Sequence, residues 1–523
     1  MPDGASTPTI ELDRMLGLTE AHDIAAGRLK PELSAAARAR CRTSHARLAR
    51  TIAERRHVYG LTTGFGPLAN RLVDPADGIA LQQNLIHHLA SGQGPAFDWL
   101  SSRAIVLARL MSVLQGLSGA SERSVAALLA VLQSSLAPAI PSRGTVGASG
   151  DLTPLAHLVL CLQGRGAFFE RSGTRWDGPA ALSHLGLDPL DLGDRDGLAL
   201  VNGTSAMTGV ALCNSALARR LLDWSIALTA AMSETMGGRL EAWNPAFAAA
   251  RPHRGQLAAT EALLSRVAGS GRLATTPLAS RRLEPDEIVT EERIGQDAYT
   301  IRCAPQVIGA VHDTLDWHDR VVATELTSVT DNPIFPEDAG VPALHGGNFM
   351  GQHVGLASDA LANAVTVLAG LAERQVARLT DERLNNGLPA FLHKGQGGLN
   401  SGLMGAQVTA TAILAELRTR GPASAQSIST NGANQDVVSM GTIAARLASE
   451  ALVRASEIQA ILALCVAQAV DILEERGDGG FSSFARSMRD VVRVRSATLD
   501  TDRPLGEEIA ALAEALRHAS PPP

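Results

Sequence analysis

The sequence predicts a mostly α protein built on long helices, and three observations support this. Ala and Leu dominate its 523 residues, Gly and Pro gather between segments, and no stretch sustains the apolar–polar alternation of a half-buried strand. Helices are predicted over about 101–115, 121–136, 154–164, 205–236, 351–385, 403–419 and 436–473. No proline interrupts Gly351 to Asn385, so a continuous helix there would extend ~50 Å. In 436–473, Val437, Met440, Ile443, Ala444 and Leu447 recur at helical spacing. Ile461 to Val470 is apolar nearly all round and is expected to be enclosed, with other subunits as the cover. Gly, Pro, Asn and Asp mark loops at 60–67, 144–150, 171–197, 331–348, 387–402 and 421–434, with a short hairpin over Phe168 to Gly178. The reading divides the chain into a smaller N-terminal domain, 1–200, and a long-helix region, 201–523.

Composition narrows the function classes. Lys plus Arg number 46 against 53 Asp plus Glu, and with no basic run this argues against a nucleic-acid partner. The apolar segment Ile458 to Val470 lies between Glu457 and Asp471 and is shorter than the ~20 residues of a membrane span, so it reads as a buried helix. The first twenty residues contain no apolar stretch of signal-peptide type. The five cysteines are widely separated with no C-x-x-C pair, which fits a reducing compartment and small buried thiols. The expectation is a cytoplasmic protein whose partners are small molecules or other proteins.

The most specific stretch is Gly144-Thr-Val-Gly-Ala-Ser-Gly-Asp-Leu-Thr-Pro-Leu-Ala-His157, glycines around a serine just before a helix start. It is no phosphate loop, because no Lys-Ser/Thr follows the last glycine and Asp151 would repel an anion. It is no hydrolase elbow either, since the second required glycine position is Asp151. A tight turn remains open. Only two tyrosines occur, Tyr59 in Tyr-Gly-Leu-Thr-Thr-Gly-Phe-Gly66 and Tyr299 in Gln296-Asp-Ala-Tyr-Thr-Ile-Arg302. Neither context looks like core filler. A phenol, ordinarily titrating near ~10, is a candidate base if its surroundings lower that value, and a hydrogen-bonded structural Tyr is the equal alternative. Arg302 would face the same way as Tyr299 on a helix and is suited to clamp a carboxylate, or else makes a surface ion pair.

These motifs resemble the aromatic amino acid ammonia-lyase and aminomutase family, from about Tyr59 to Asp436, with a further likeness in Thr501-Asp-Arg-Pro-Leu-Gly. The resemblance implies a long-helix bundle of the ammonia-lyase/fumarase-like type. It also implies that Ala148, Ser149 and Gly150 cyclise into a methylidene-imidazolone (MIO): the Gly150 nitrogen attacks the Ala148 carbonyl and two waters leave, giving an electron-poor methylene. Glycine has no Cβ to obstruct that bend. By the same resemblance Tyr59 is the base for the substrate β-proton, on a loop that closes over the substrate, and Tyr299 lies beside the amino group. Arg302 holds the carboxylate. Asn202, Asn332, Asn431 and Gln435 match polar positions that serve as amide donors, although each type is also common in caps and turns. Phe349 matches a phenylalanine packed by the prosthetic group, with core packing as its default role.

In Asn84-Leu-Ile-His-His-Leu-Ala-Ser-Gly92, family members that prefer tyrosine carry His-Leu, phenylalanine lyases Phe-Leu, and histidine lyases Ser-His; this chain has His88-Leu89. An imidazole there hydrogen-bonds a phenol, and leaving it unpaired costs ~1–3 kcal/mol. The expectation is therefore elimination of ammonia from L-tyrosine to p-coumarate, with weaker action on L-phenylalanine, by a homotetramer whose sites combine residues of three subunits. No metal or dissociable cofactor is expected. The rivals are a histidine ammonia-lyase, a tyrosine 2,3-aminomutase and a catalytically silent helical scaffold.

Overall fold

A computed structural model describes residues 7–282 and 295–523, so the first six of the twenty N-terminal residues read above lie outside the described residues. The protein is mostly helical, as predicted. Its contacts divide it differently from a boundary at 200: one compact unit comprises the described residues up to Ala216 with Trp317–Asp359 and Pro422–Leu447. The other comprises the described part of Leu217–Asp316 with Ala360–Gly421 and Ala448–Pro523. The difference arises because single helices, among them Ser205–Thr235 and Gly441–Glu475, supply residues to both cores.

The first unit packs the helices Trp99–Leu114, Glu122–Leu132, Leu152–Leu162 and Gly78–Leu89 around a core containing Ile105, Leu128, Leu158 and Ile86. Asp98 and Ser121 start two of these helices by accepting the Ser101 and Ser124 amides at 2.9 and 3.2 Å. Short strands sit at its edges. Gln93–Ala96 pairs antiparallel with Pro141–Arg143, and the expected hairpin appears as Ala167–Phe169 against Arg175–Asp177. The loop expected over 171–197 contains a helix, Gly178–Leu185, started by Asp177 accepting the Ala180 amide at 2.8 Å.

In the second unit the apolar run of Gly441–Glu475 is enclosed: Ile461 through Val470 are each at most 3% exposed. The cover comes from the same chain, through residues such as Leu228, Ile308, Leu368 and Leu414, without the other subunits that were expected to supply it. Gln468, the polar exception, donates to the Leu392 and Leu499 carbonyls at 3.3 and 3.0 Å. By length and composition Gln352–Thr380 and Gly441–Glu475 would suffice to cross a membrane, and 61% and 89% of their most apolar windows are buried within the protein.

Three helix ends depart from prediction, and the first is that of the helix expected over 121–136, which ends at Leu132. The helix expected to reach Asn385 stops at Thr380, where the buried Asn385 amide donates back to the Leu379 carbonyl at 3.1 Å and closes the end. The helix expected from 436 begins at Gly441, because the Met440 amide is bonded instead to the Val146 carbonyl at 2.9 Å.

Candidate active site

The loop 144–150 leaves the strand Pro141–Arg143 and enters the helix Leu152–Leu162. Its backbone is held on every side. Asp151 N–H donates to the Gly203 carbonyl at 2.7 Å, and Gly203 N–H to the Ser149 carbonyl at 3.3 Å. Thr145 Oγ1 donates to the Gly150 carbonyl and accepts the Gly147 amide, both at 3.0 Å. A Cβ on Gly150 would lie 2.1 Å from the Gly203 oxygen, so no larger residue fits there. Ser149 itself is left-handed, at φ 55°, a conformation that costs a non-glycine residue energy and that the surrounding bonds maintain.

Asp151 is inaccessible. It accepts the Met207 amide at 2.7 Å and the Thr442 hydroxyl, and burial pushes its carboxyl up to about 6. Its side chain is thus turned into the core, a role that the sequence argument about a repelled anion did not anticipate.

A cavity of about 620 Å³ opens over this loop. Of the residues singled out from sequence, Tyr59, His88, Leu89, Ala148, Ser149, Asn202, Asn332, Phe349, Asn431 and Gln435 line it. Tyr59 Oη accepts the Gly66 amide at 2.9 Å, its ring meets Phe65 edge-on at 6.0 Å, and its own amide donates to His345 Nε2 at 3.1 Å. His88 lies in the last turn of Gly78–Leu89, with Nδ1 3.0 Å from the Asn84 carbonyl. A carbonyl only accepts, so Nδ1 carries a proton, and in the neutral ring Nε2 offers its lone pair. On the same helix the buried Gln82 donates to the Gly60 carbonyl at 2.9 Å and accepts the Leu198 amide at 2.8 Å, which ties the tyrosine loop to the wall.

The amides have assigned work. Gln435 Nε2 donates to Ser149 Oγ at 3.3 Å while its Oε1 accepts from Thr430 and Asn431, both at 2.8 Å. Their segment is moored where the Asp359 carboxylate accepts the Ala423 and Ser424 amides at 3.1 and 2.7 Å. Asn202 Nδ2 donates to Asp331 at 3.1 Å and to the Asn332 carbonyl at 2.7 Å, and Asn332 Oδ1 accepts the Gly346 amide at 2.7 Å. Beneath them Arg195 grips Asp331 through two bonds of 2.8 and 3.0 Å in a fully buried pair. Arg109 lies beside them, donating to the Asn202 carbonyl, with its pKa lowered to about 10 by burial and raised in part by Asp331.

Tyr299 and Arg302 are not among the lining residues. They belong to the other unit, on the one-turn helix Tyr299–Arg302, with Tyr299 69% exposed. The guanidinium lies 4.9 Å from the Tyr299 ring and bonds Gln296. Sequence reasoning missed the apolar walls Phe65, Leu85, Leu152, Leu198 and Met350, together with Asn434. The apolar ones carried no signal apart from core filling; Phe65, Leu85 and Leu152 each stand inside a motif already noted.

The profile of the family described as aromatic amino acid lyase matches residues 16–494. A tyrosine ammonia-lyase of Cereibacter sphaeroides is 62% identical over 514 residues, 98% of each chain. An MIO-dependent tyrosine 2,3-aminomutase of Streptomyces globisporus is 40% identical over 468 residues, 88% of this chain and 85% of that one. The crystal structure of a tyrosine aminomutase from the same organism superposes with a TM-score of 0.92 at 37% identity, covering 97% of both chains. A fold of buried long helices, a glycine-cradled Ala-Ser-Gly loop and full-length likeness lead to one conclusion: this chain belongs to the aromatic amino acid lyase family.

Proposed function

We propose that the protein eliminates ammonia from L-tyrosine, giving p-coumarate. The observation that carries this reading is His88-Leu89 in the wall of the cavity, with His88 Nε2 free to accept a phenolic O–H. The 62% identical tyrosine ammonia-lyase supports it. L-phenylalanine offers no hydroxyl to that nitrogen and is the weaker substrate.

An MIO group made from Ala148, Ser149 and Gly150 fits the loop: Gly150 stands where a Cβ would strike Gly203, and the Ser149 hydroxyl meets Gln435 beside the cavity. Such a group supplies an electron-poor carbon that loosens the substrate's C–N bond. The chain's own residues do the rest. Tyr59 Oη, held in place as it accepts the Gly66 N–H, takes the β-proton. The C–H electrons form the new double bond, and the nitrogen departs with the C–N pair as ammonia. Phe65, Leu85, Leu89 and Phe349 enclose the ring and exclude water. The Asn332 amide nitrogen and Asn202 Oδ1 remain for orienting substrate, since their other ends are engaged.

Tyr299 and Arg302 reach the cavity from another copy in a homotetramer, Arg302 holding the carboxylate. Exposed apolar side chains on helices, Leu356, Val367 and Val408, at 50–60% exposure, support an assembly, as does the 69% exposure of Tyr299.

Incubation with L-tyrosine, L-phenylalanine and L-histidine, read by ultraviolet absorbance, is expected to give p-coumarate fastest; urocanate as the main product would overturn the reading, and β-tyrosine would mark an aminomutase. Intact mass is expected to fall short of the sequence mass by two waters in the native protein and not in Ser149→Ala, which is expected to be inactive.

A further inference from the structure

We propose that His157 is a positioning residue for substrate selection, its Nε2 accepting the Gly92 backbone N–H at 3.0 Å and so fixing the turn that presents His88 and Leu89 beside the Ala-Ser-Gly loop. This rests on the reading that His88 accepts the phenol. The helix Gly78–Leu89 ends with Ala90 N–H on the Ile86 carbonyl at 3.1 Å and Ser91 N–H on the Leu89 carbonyl at 2.8 Å. The next donor, Gly92 N–H, is met by the imidazole instead of a carbonyl.

Beyond Gly92 the chain becomes the strand Gln93–Ala96, paired with Pro141–Arg143, which runs straight into Gly144. His157 stands on Leu152–Leu162, the helix at the far side of the same loop. The 144–150 loop is therefore bracketed by two elements that both hold 92–96. There is little slack between them: a Cβ on Gly144 would lie 3.2 Å from Gly92 Cα, and a Cβ on Gly92 would lie 3.0 Å from His157 Nε2 and 3.1 Å from Pro141 Cβ. Because Nε2 accepts, the ring is neutral with its proton on Nδ1. Burial holds its pKa below the ordinary histidine value, which preserves the acceptor.

Removing that acceptor frees the turn. His88 then loses its setting against a phenol, and discrimination based on one hydrogen bond falls off with small misplacements. A phenylalanine ring, which uses only the apolar walls, is affected far less.

The test compares His157→Leu with His157→Gln, whose amide oxygen can still accept from Gly92, in steady-state assays on both amino acids. Leu is expected to lower kcat/KM for tyrosine about ten-fold or more and for phenylalanine less than about three-fold, while the mass deficit of two waters persists. Gln is expected to restore most of the tyrosine-to-phenylalanine ratio. An unchanged ratio in the Leu variant, or equal loss on both substrates, overturns the proposal. His88→Phe is run in parallel: if it fails to reduce tyrosine preference, the His88 reading itself is wrong, whatever the His157 variants do. Should the Leu variant not fold, hydrogen exchange on the unmodified enzyme decides: the Gly92 amide is expected to be protected like its strand neighbours, and exchange at the free-peptide rate overturns the proposal.

Discussion

The two polar regions named by sequence motifs are built in opposite ways. Around Ala148-Ser149-Gly150, backbone groups on both sides are bonded, a glycine is required by contact with Gly203, and a buried carboxyl stands behind the loop. Around Tyr299 and Arg302 there is a single helical turn, a mostly exposed phenol and a guanidinium bonded to Gln296. An electrophile must be held rigidly by prepaid contacts, because its geometry sets the barrier. The carboxylate clamp proposed for Arg302 would be completed on assembly, since a guanidinium carries its own geometry.

Substitutions test this contrast. In the cavity over the rigid loop, Tyr59→Phe retains the ring and the mass deficit but removes the proposed base, and kcat is expected to fall ~10²–10⁴-fold. Retention of activity would remove Tyr59 from the chemistry. Next, Ser149→Ala and Arg302→Ala, each expected to be inactive alone, should regain part of the activity when co-expressed, because some sites then combine an intact loop with an intact Arg302 from another copy. No recovery would mean that the loop and the clamp act within one chain.

His88→Phe is expected to reverse the preference between tyrosine and phenylalanine, with ~1–3 kcal/mol of discrimination lost, measured as the ratio of kcat/KM values.

The smallest effect concerns pH and stability. Asp151 is raised from 3.8 to about 6 in the folded protein, so its contribution to stability is full below about 3.8 and lost as pH rises through about 6. Asp151→Asn keeps an acceptor for Met207 and a donor for Thr442 without titrating. Its melting temperature relative to the native protein is therefore expected to increase between pH 4 and pH 7. A flat difference would show that the carboxyl does not change protonation on folding.

Helix content and the seven predicted helices were legible, whereas Ala35–Ala53, Gly78–Leu89 and Ala304–Leu326 were not singled out. The helices Ser205–Thr235 and Met404–Arg418 fall within one residue of the predicted 205–236 and 403–419. Their apolar positions and flanking breakers are local signals, available without knowledge of neighbours. The helix Gly178–Leu185 was hidden in a stretch read as a loop, although Asp177-Gly-Pro179 announces a capped start; the surrounding Gly and Asp outweighed it. The late start at Gly441 had no local cause at all, because the competing partner, the Val146 carbonyl, is almost three hundred residues away in sequence.

The sequence by itself determined the helical class, the Ala-Ser-Gly loop with its glycines, and ten of the side chains that line the cavity, because these depend on residue type and short spacing. Only the tertiary structure decided that Asp151 faces inward, that Gln82 and His157 tie separate loops to one wall, and that the 461–470 stretch is covered by its own chain. Those outcomes depend on which distant backbone groups are left without partners once the helices have packed. Burial makes an unpaired polar group expensive, so the residue that satisfies it is selected by position in space and not along the chain.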